Sequence, residues 1–263
     1  MNILEKITVG KYREVEERKN LHPASLLEKS SYFERKVNSL RTTLENPQDR
    51  HGIIAEFKRR SPSKGIFNES FDPVKITKGY IGAGASALSI LTDGPSFGGS
   101  KEDLMAVRES LPLVPILRKD FMVDEYQIVE AKSWGADAIL LIAASTPPSL
   151  LNRLAKFAKS LGLDTLLEIH EIAELEGNLS EYIDVVGVNN RNLKDFSVDI
   201  ERSIRAIEHI PSQFTRISES GISKPETIRL LQKNGYKGFL MGEAFMQTPD
   251  PIKAIKDFIK SIA

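Results

Sequence analysis

The sequence predicts an α/β protein, a closed (β/α)8 TIM barrel with an N-terminal helical extension, on three observations. Short apolar, β-branched runs alternate with amphipathic stretches from residue 52 onward, the runs number eight, and the stretches between them carry helix punctuation. The runs lie near residues 53–58, 87–91, 114–118, 138–142, 165–169, 185–189, 215–219 and 238–241. Eight parallel strands close a barrel, and 263 residues suit one such domain, with 1–50 as the extension and 51–263 as the barrel.

The first run differs from an ordinary core strand. Side chains alternate across a strand, so Glu56 and Lys58 share a face with Ile54, while Ile53, Ala55 and Phe57 take the other. A buried strand rarely spends two charges on one face without a use for them. The next elements are marked by their caps. Asp72-Pro73, Thr146-Pro147 and Asp250-Pro251 read as a capping residue followed by proline at the first helical position. Ser223 to Glu226 reads as a capping box and Asp124 with Gln127 as a looser one, while Gly82, Gly135, Gly162 and Gly235 mark left-handed helix exits. The extension reads as two charged helices, roughly 3–19 and 23–44. The first carries a ragged stripe of Leu4, Ile7, Tyr12, Val15 and Lys19 that packs on one side. No Gly/Ser linker precedes Gly52, and the extension's position fits a lid over the site and equally a packing role.

Composition narrows the function classes. Lys and Arg total 36 and Asp and Glu total 36, so no net field draws the chain to nucleic acid or to a membrane surface. Cysteine is absent, which excludes disulfides, thiolate nucleophiles and cysteine-ligated metal. Residues 1–20 are dense in charge and lack the apolar core of a signal peptide, so the expected compartment is the cytoplasm.

Chemistry in such barrels sits at the C-terminal strand ends. The first end supplies Glu56, Lys58 and Ser61, the third Lys119 and Asp120, and the fifth Glu168. The sixth supplies Asn189 and Arg191, the seventh Glu219, Ser220 and Gly221, and the eighth Gly242 and Glu243. Ser220-Gly221 and Gly242-Glu243 occupy the places where backbone N–H groups cradle phosphate, with hydroxyl help from Ser220 and Ser61 and the Glu243 carboxylate expected to point away. Lys119, out of water and near other cations, is expected to have a lowered pKa and to serve as a general acid; Glu168 and Glu56 are the candidate proton carriers. Phe121, Phe97 and Leu140 are apolar neighbours for a bound ring, or equally core. The competing reading of Glu56, Lys58, Lys119 and Glu168 is a structural ion network plugging the barrel mouth. His22, His51, His170 and His209 share no metal spacing and read as surface residues.

These residues resemble one family, indole-3-glycerol-phosphate synthase of tryptophan biosynthesis. IIAEFKRRSPSKG (residues 53–65) is similar to its signature, as are ILTDGPSFGGS (90–100), PILRKDF (115–121), LLEIH (166–170), VGVNNRNL (186–193), SESGI (218–222) and FLMGEAFM (239–246). The ILEKI and EVEERK segments of the extension resemble the family too, so the likeness spans essentially the whole chain. It implies a carbon–carbon lyase, a carboxy-lyase without a cofactor, that converts 1-(2-carboxyphenylamino)-1-deoxyribulose 5-phosphate to indole-3-glycerol phosphate. By that resemblance Lys119 is the general acid, Glu168 and Glu56 the acid/base carboxylates, and Asn189 a positioning amide. Lys58 and Arg191 hold the substrate carboxylate, Phe121 and Glu219 line the substrate, and Ser61, Ser220, Gly221, Gly242 and Glu243 hold the phosphate. The resemblance leaves open the division of work between Glu56 and Glu168, and an exchange of roles between Lys58 and Lys119. The chain is expected to be a monomer that is open to transient association with other enzymes of the tryptophan pathway. Rival readings are another phosphate-binding barrel, phosphoribosylanthranilate isomerase or the tryptophan synthase α subunit, and a non-catalytic barrel. The isomerase wants a cysteine base that this chain lacks, and the non-catalytic barrel predicts loss of Lys119 or Glu168.

Overall fold

All eight apolar runs form strands: β1 (Ile53–Phe57), β2 (Ala87–Leu91), β3 (Ile116–Lys119), β4 (Ala138–Ile142), β5 (Asp164–Ile169), β6 (Val185–Asn189), β7 (Thr215–Glu219) and β8 (Gly238–Met241). The structure is a computed structural model and describes residues 3–48, 50–192 and 195–262; Leu193, which ends the VGVNNRNL motif, lies outside them. Every neighbouring pair is parallel, and β8 returns to β1 with Ile53 opposite Phe239, so the sheet closes into a barrel. Strand β3 starts later than its apolar run, because Pro115 has no N–H to give the ladder; its carbonyl still accepts from Leu88.

The alternation sorts each strand into two layers. Ile53, Ala55 and Phe57 pack outward under the helices, whereas Ile54 joins Leu117, Leu166 and Ile217 inside the barrel. These four come from the odd-numbered strands, the arrangement in which alternate strands fill one interior level. Two residues further along the same strands come Glu56, Lys119, Glu168 and Glu219. The barrel therefore carries an apolar level of four and, above it, a charged level of four at the C-terminal mouth. Glycines on β6 and just after β8 make room beside that level. A Cβ on Gly187 would lie 2.2 Å from Glu219 Oε1, and one on Gly242 would lie 2.9 Å from Glu56 Oε1.

The helical layer comprises chiefly Pro73–Ala83, Lys101–Ser110, Glu125–Ser133, Pro148–Ser160, Glu201–Ala206, Pro225–Lys233 and Pro251–Ile262. Asp72 caps its helix as expected, and Asp124 with Gln127 forms a full reciprocal box. Two expected caps are displaced. Pro148 pushes Pro147 into an extended backbone, and Pro225 does the same to Lys224, so each helix starts at its proline and neither Thr146 nor Ser223 serves as cap. The left-handed exit of the first barrel helix is Gly84 at φ 112°, and Gly82 lies inside the helix.

The extension covers both ends of the barrel. Helix α1 (Ile3–Leu21) lies at the C-terminal mouth, where Leu4 and Ile7 line the cavity. Its buried stripe is Leu4, Lys11 and Val15, while Tyr12 is 46% exposed, because Lys11 and not an aromatic faces the barrel. Residues 23–44 do not form the single helix expected. A short α2 (Ala24–Leu27) gives way to turns and an extended stretch, in which Arg35 Nη2 and the Asn38 N–H each lie 2.7 Å from Asp137 Oδ1. Helix α3 (Leu40–Glu45) then drives Leu40 and Leu44, both fully buried, into the opposite end of the barrel.

Charge ties α1 down. Lys11 Nζ reaches Asp93 at 2.8 Å and Asp120 at 3.0 Å; Arg118 bridges Asp120 at 2.9 Å and Glu130 at 3.2 Å; Arg18 Nε returns to Glu130 at 2.8 Å. Arg118 points outward on β3, stacked 4.1 Å from the Trp134 ring. No helix among the described residues is long and apolar enough to cross a membrane.

Candidate active site

The charged level forms the floor of a cavity of about 450 Å³ at the C-terminal mouth. Lys119 Nζ sits 2.8 Å from Glu168 Oε2 and 2.8 Å from Glu219 Oε2. Asn189 Nδ2 donates to the other oxygen of Glu168 at 3.1 Å, and Lys58 Nζ donates to Glu56 Oε1 at 2.6 Å. The register of β6 against β7, with Asn189 opposite Glu219, brings the amide to this cluster. Phe97 and Phe121 face each other with ring centroids 6.2 Å apart, and with Leu140 they form an apolar wall.

On the opposite wall stand Ser61, Lys64, Ser220, Gly221, Gly242 and Glu243. Ser220 (φ 67°) and Gly221 (φ 72°) are both left-handed. A serine held there costs about 1–2 kcal/mol, which the loop bears at the cavity edge. A Cβ on Gly221 would lie 2.0 Å from Val198 Cγ1, so only glycine fits beneath that side chain. Contrary to expectation, the Glu243 carboxylate faces into the site, accepting from Arg191 Nη2 at 2.9 Å with Lys64 Nζ 3.9 Å away.

The electrostatics correct the expectation for Lys119. Its neighbours are carboxylates and not cations: burial alone would lower its pKa, but Glu168, Glu219 and Glu56 outweigh burial and raise it. The cavity floor and its edge hold three carboxylates against two lysines, so one carboxylate keeps a proton at little cost. Glu219 is the one, since burial and the nearby Glu168 and Glu56 push it up, to about 8, despite Lys119, and its Oε1 has no partner among the described residues. Glu168 goes the other way: burial opposes its ionisation, but Lys119 and then His170 hold it well below the ordinary carboxylate range.

Opposite shifts have opposite consequences for stability. The native state keeps the Glu219 proton where the unfolded chain has lost it, so this contribution falls as pH rises from about 4.5 to about 8, by at most ~1.4 kcal/mol per pH unit. The Glu168 contribution is present above its unfolded value and lost only as pH falls below it. Glu219→Gln, a mimic of the protonated acid, should flatten the decline above pH 5. Guanidinium unfolding midpoints at acidic and mildly alkaline pH check this, and equal slopes in parent and variant would refute the protonated assignment.

A family model described as indole-3-glycerol phosphate synthase matches residues 4–258. The chain belongs to the indole-3-glycerol phosphate synthase family. Among curated indole-3-glycerol phosphate synthases, that of Bacteroides thetaiotaomicron is 50% identical over 211 residues, covering 80% of each chain. That of Thermoanaerobacter pseudethanolicus is 42% identical over 261 residues, covering 98% of this chain and 97% of its own. Likeness to solved structures adds the fold alone: 3-hexulose-6-phosphate synthase from Salmonella typhimurium superposes with a TM-score of 0.64 at 13% identity, covering 80% of this chain and 98% of that one.

Every residue expected at an indole-3-glycerol phosphate synthase site lines this one cavity: Glu56, Lys58, Ser61, Lys119, Phe121, Glu168, Asn189, Arg191, Glu219, Ser220, Gly221, Gly242 and Glu243. Among the lining residues that were not expected, three stand out. Leu4 and Ile7 come from the extension, and their spacing of three was the available signal. His170 is the third, and it is not a surface residue: it is 5% exposed, with Nε2 3.5 Å from Glu168 Oε1. It follows Glu168 by two, so strand alternation alone turns it toward the same side.

Proposed function

We infer that this barrel closes the indole ring of 1-(2-carboxyphenylamino)-1-deoxy-D-ribulose 5-phosphate, releases carbon dioxide and water, and yields indole-3-glycerol phosphate. The observation that carries the mechanism is an ammonium, Lys119, clasped between Glu168 and Glu219 at the floor of a cavity with one apolar wall and one polar wall. The apolar wall suits the aryl ring, and the loops at Ser220-Gly221 and Gly242-Glu243, with Ser61, suit the phosphate.

In this reading the aryl ortho carbon attacks the ketone carbon, and the charge growing on the oxygen meets Lys119, which donates the proton. A lysine whose pKa is raised remains charged throughout the working range, so the positive charge is in place before the alkoxide forms. Loss of the carboxylate as carbon dioxide then restores the aryl ring. Lys58 and Arg191 orient that carboxylate; an overtight clamp would oppose the loss of charge, and their own engagement with Glu56 and Glu243 moderates it. Dehydration needs an acid for the departing hydroxyl and a base for a carbon-bound proton. Glu219, which retains its proton, suits the first task. Glu168, ionised and oriented by Asn189, suits the second, with Glu56 as the second basic carboxylate. The ion pairs between α1 and the barrel support treating extension and barrel as one working unit.

A rise in indole fluorescence when the purified protein meets the substrate, without added cofactor, tests the function; no product would overturn it. Arg191→Ala and Lys58→Ala should each raise KM by about tenfold with a smaller effect on kcat, as expected for lost binding. An unchanged KM in both variants would remove them as carboxylate clamps.

A further inference from the structure

The reaction leaves its active site one proton short. The substrate enters with an ionised carboxylate and leaves it behind as neutral carbon dioxide, while the organic product is uncharged at that position. Step by step, one proton goes to the ketone oxygen and one to the departing hydroxyl, and one returns from carbon, so each turnover consumes one proton from solvent. In the reading given above, the cavity at the C-terminal mouth belongs to the substrate, so a separate path for the proton has to come from elsewhere.

We propose that His170 and the small cavity behind it form the rear route by which this proton reaches Glu168. The proposal rests on the acid/base reading of Glu168 given above. A second cavity of about 80 Å³ lies on the far side of His170, large enough for a few water molecules, and His170 is the one residue that lines both cavities. Its ring is buried, yet neither ring nitrogen has a hydrogen-bond partner among the described residues. Buried imidazoles are ordinarily satisfied, so an orphaned one between a carboxylate and a polar cavity calls for a function. Nε2 faces Glu168 Oε1 at 3.5 Å, the oxygen that Lys119 does not occupy.

The surrounding charges are arranged for passage. On the front side stand Glu168 and, through it, Lys119. From the connection after β5, Glu174 accepts from the His170 backbone N–H at 2.7 Å and fixes the residue in place. Around the rear cavity are Glu171, Arg202 and Arg205; Glu171 and Arg205 are exposed, so the cavity reaches the surface, and Arg202 Nη2 lies 3.5 Å from Glu171. Glu168 first hands the proton it took from carbon to Lys119, 2.8 Å away. Hydrated protons in the rear cavity then protonate Nδ1, and the imidazolium passes its Nε2 proton to Glu168 Oε1. That proton moves through Lys119 to Glu219, which restores all three groups, while the neutral ring resets by tautomer exchange. No bond other than N–H and O–H changes.

The test uses His170→Ala and His170→Asn in the full chain, with Glu168→Gln alongside. Both His170 variants should keep KM within about twofold and an unchanged melting temperature, with kcat down about tenfold near pH 8.5 and little affected near pH 6, where protons are abundant. Added imidazole should restore His170→Ala and not His170→Asn. Folded variants with normal kcat at both pH values, or a loss that is equal at both and insensitive to imidazole, would overturn the relay. If Glu168→Gln turns over normally, the reading of Glu168 fails; if it is inactive while His170→Ala is normal, only the relay fails.

Discussion

Lys119→Met is expected to reduce turnover by about 10³-fold or more while leaving the affinity for phosphate-bearing ligands within about tenfold. Methionine preserves length and removes the charge, and the missing charge is wanted mainly where the alkoxide develops. The phosphate loops follow β7 and β8, and the Lys119 ammonium is engaged by Glu168 and Glu219, so ground-state binding has little reason to change. The substitution also leaves the buried Glu168 carboxylate beside Glu219 without its cation, which removes the main cause of its lowered pKa. Turnover is read from indole fluorescence and binding from competition by inorganic phosphate. Near-normal turnover in the folded variant would remove Lys119 from the mechanism.

Arg118→Met should cost about 3–5 kcal/mol of stability, a large share of the roughly 5–15 kcal/mol typical of a domain. Arg118 is fully buried and serves two carboxylates, Asp120 and Glu130, which are themselves buried. Ordinary removal of an exposed partner costs under about 1 kcal/mol, but here two buried anions each lose a cation, leaving Asp120 with Lys11 alone and Glu130 with Arg18 alone. Arg118 and Lys11 hold Asp120 well below the usual carboxylate range against the opposing effect of burial, so its neutralisation would not come cheaply. Guanidinium unfolding measures the loss, and a change under about 1 kcal/mol would mean that the network is dispensable. Asp120 follows Lys119 directly, so activity should fall with stability.

Much of this was legible in the chain. The charged level is written as one pattern on four strands, an apolar residue followed two places later by a charge: Ile54 and Glu56, Leu117 and Lys119, Leu166 and Glu168, Ile217 and Glu219. Strand period supplies the face and barrel closure supplies the meeting point. Less legible was whatever depends on who the neighbours are. The sign of the Lys119 shift followed from carboxylates on β5 and β7 that sequence spacing does not rank against distant cations. Tyr12 looked a better core residue than Lys11 because hydropathy cannot know that Asp93 and Asp120 wait beneath the helix. His170 shares no metal-ligand spacing with the other histidines, and only its position two after Glu168 signals that it turns inward.

The charges on the buried side of α1 also bear on how the chain is made. Arg18 and Glu130 are 112 positions apart, and at roughly 5–20 residues per second the helix leaves the ribosome on the order of ten seconds before its partners exist. An oily helix exposed for so long would invite aggregation or chaperone capture. A stripe built around a lysine and an arginine stays hydrated while it waits, and becomes adhesive only when Asp93, Asp120 and Glu130, which follow the second and third strands, arrive.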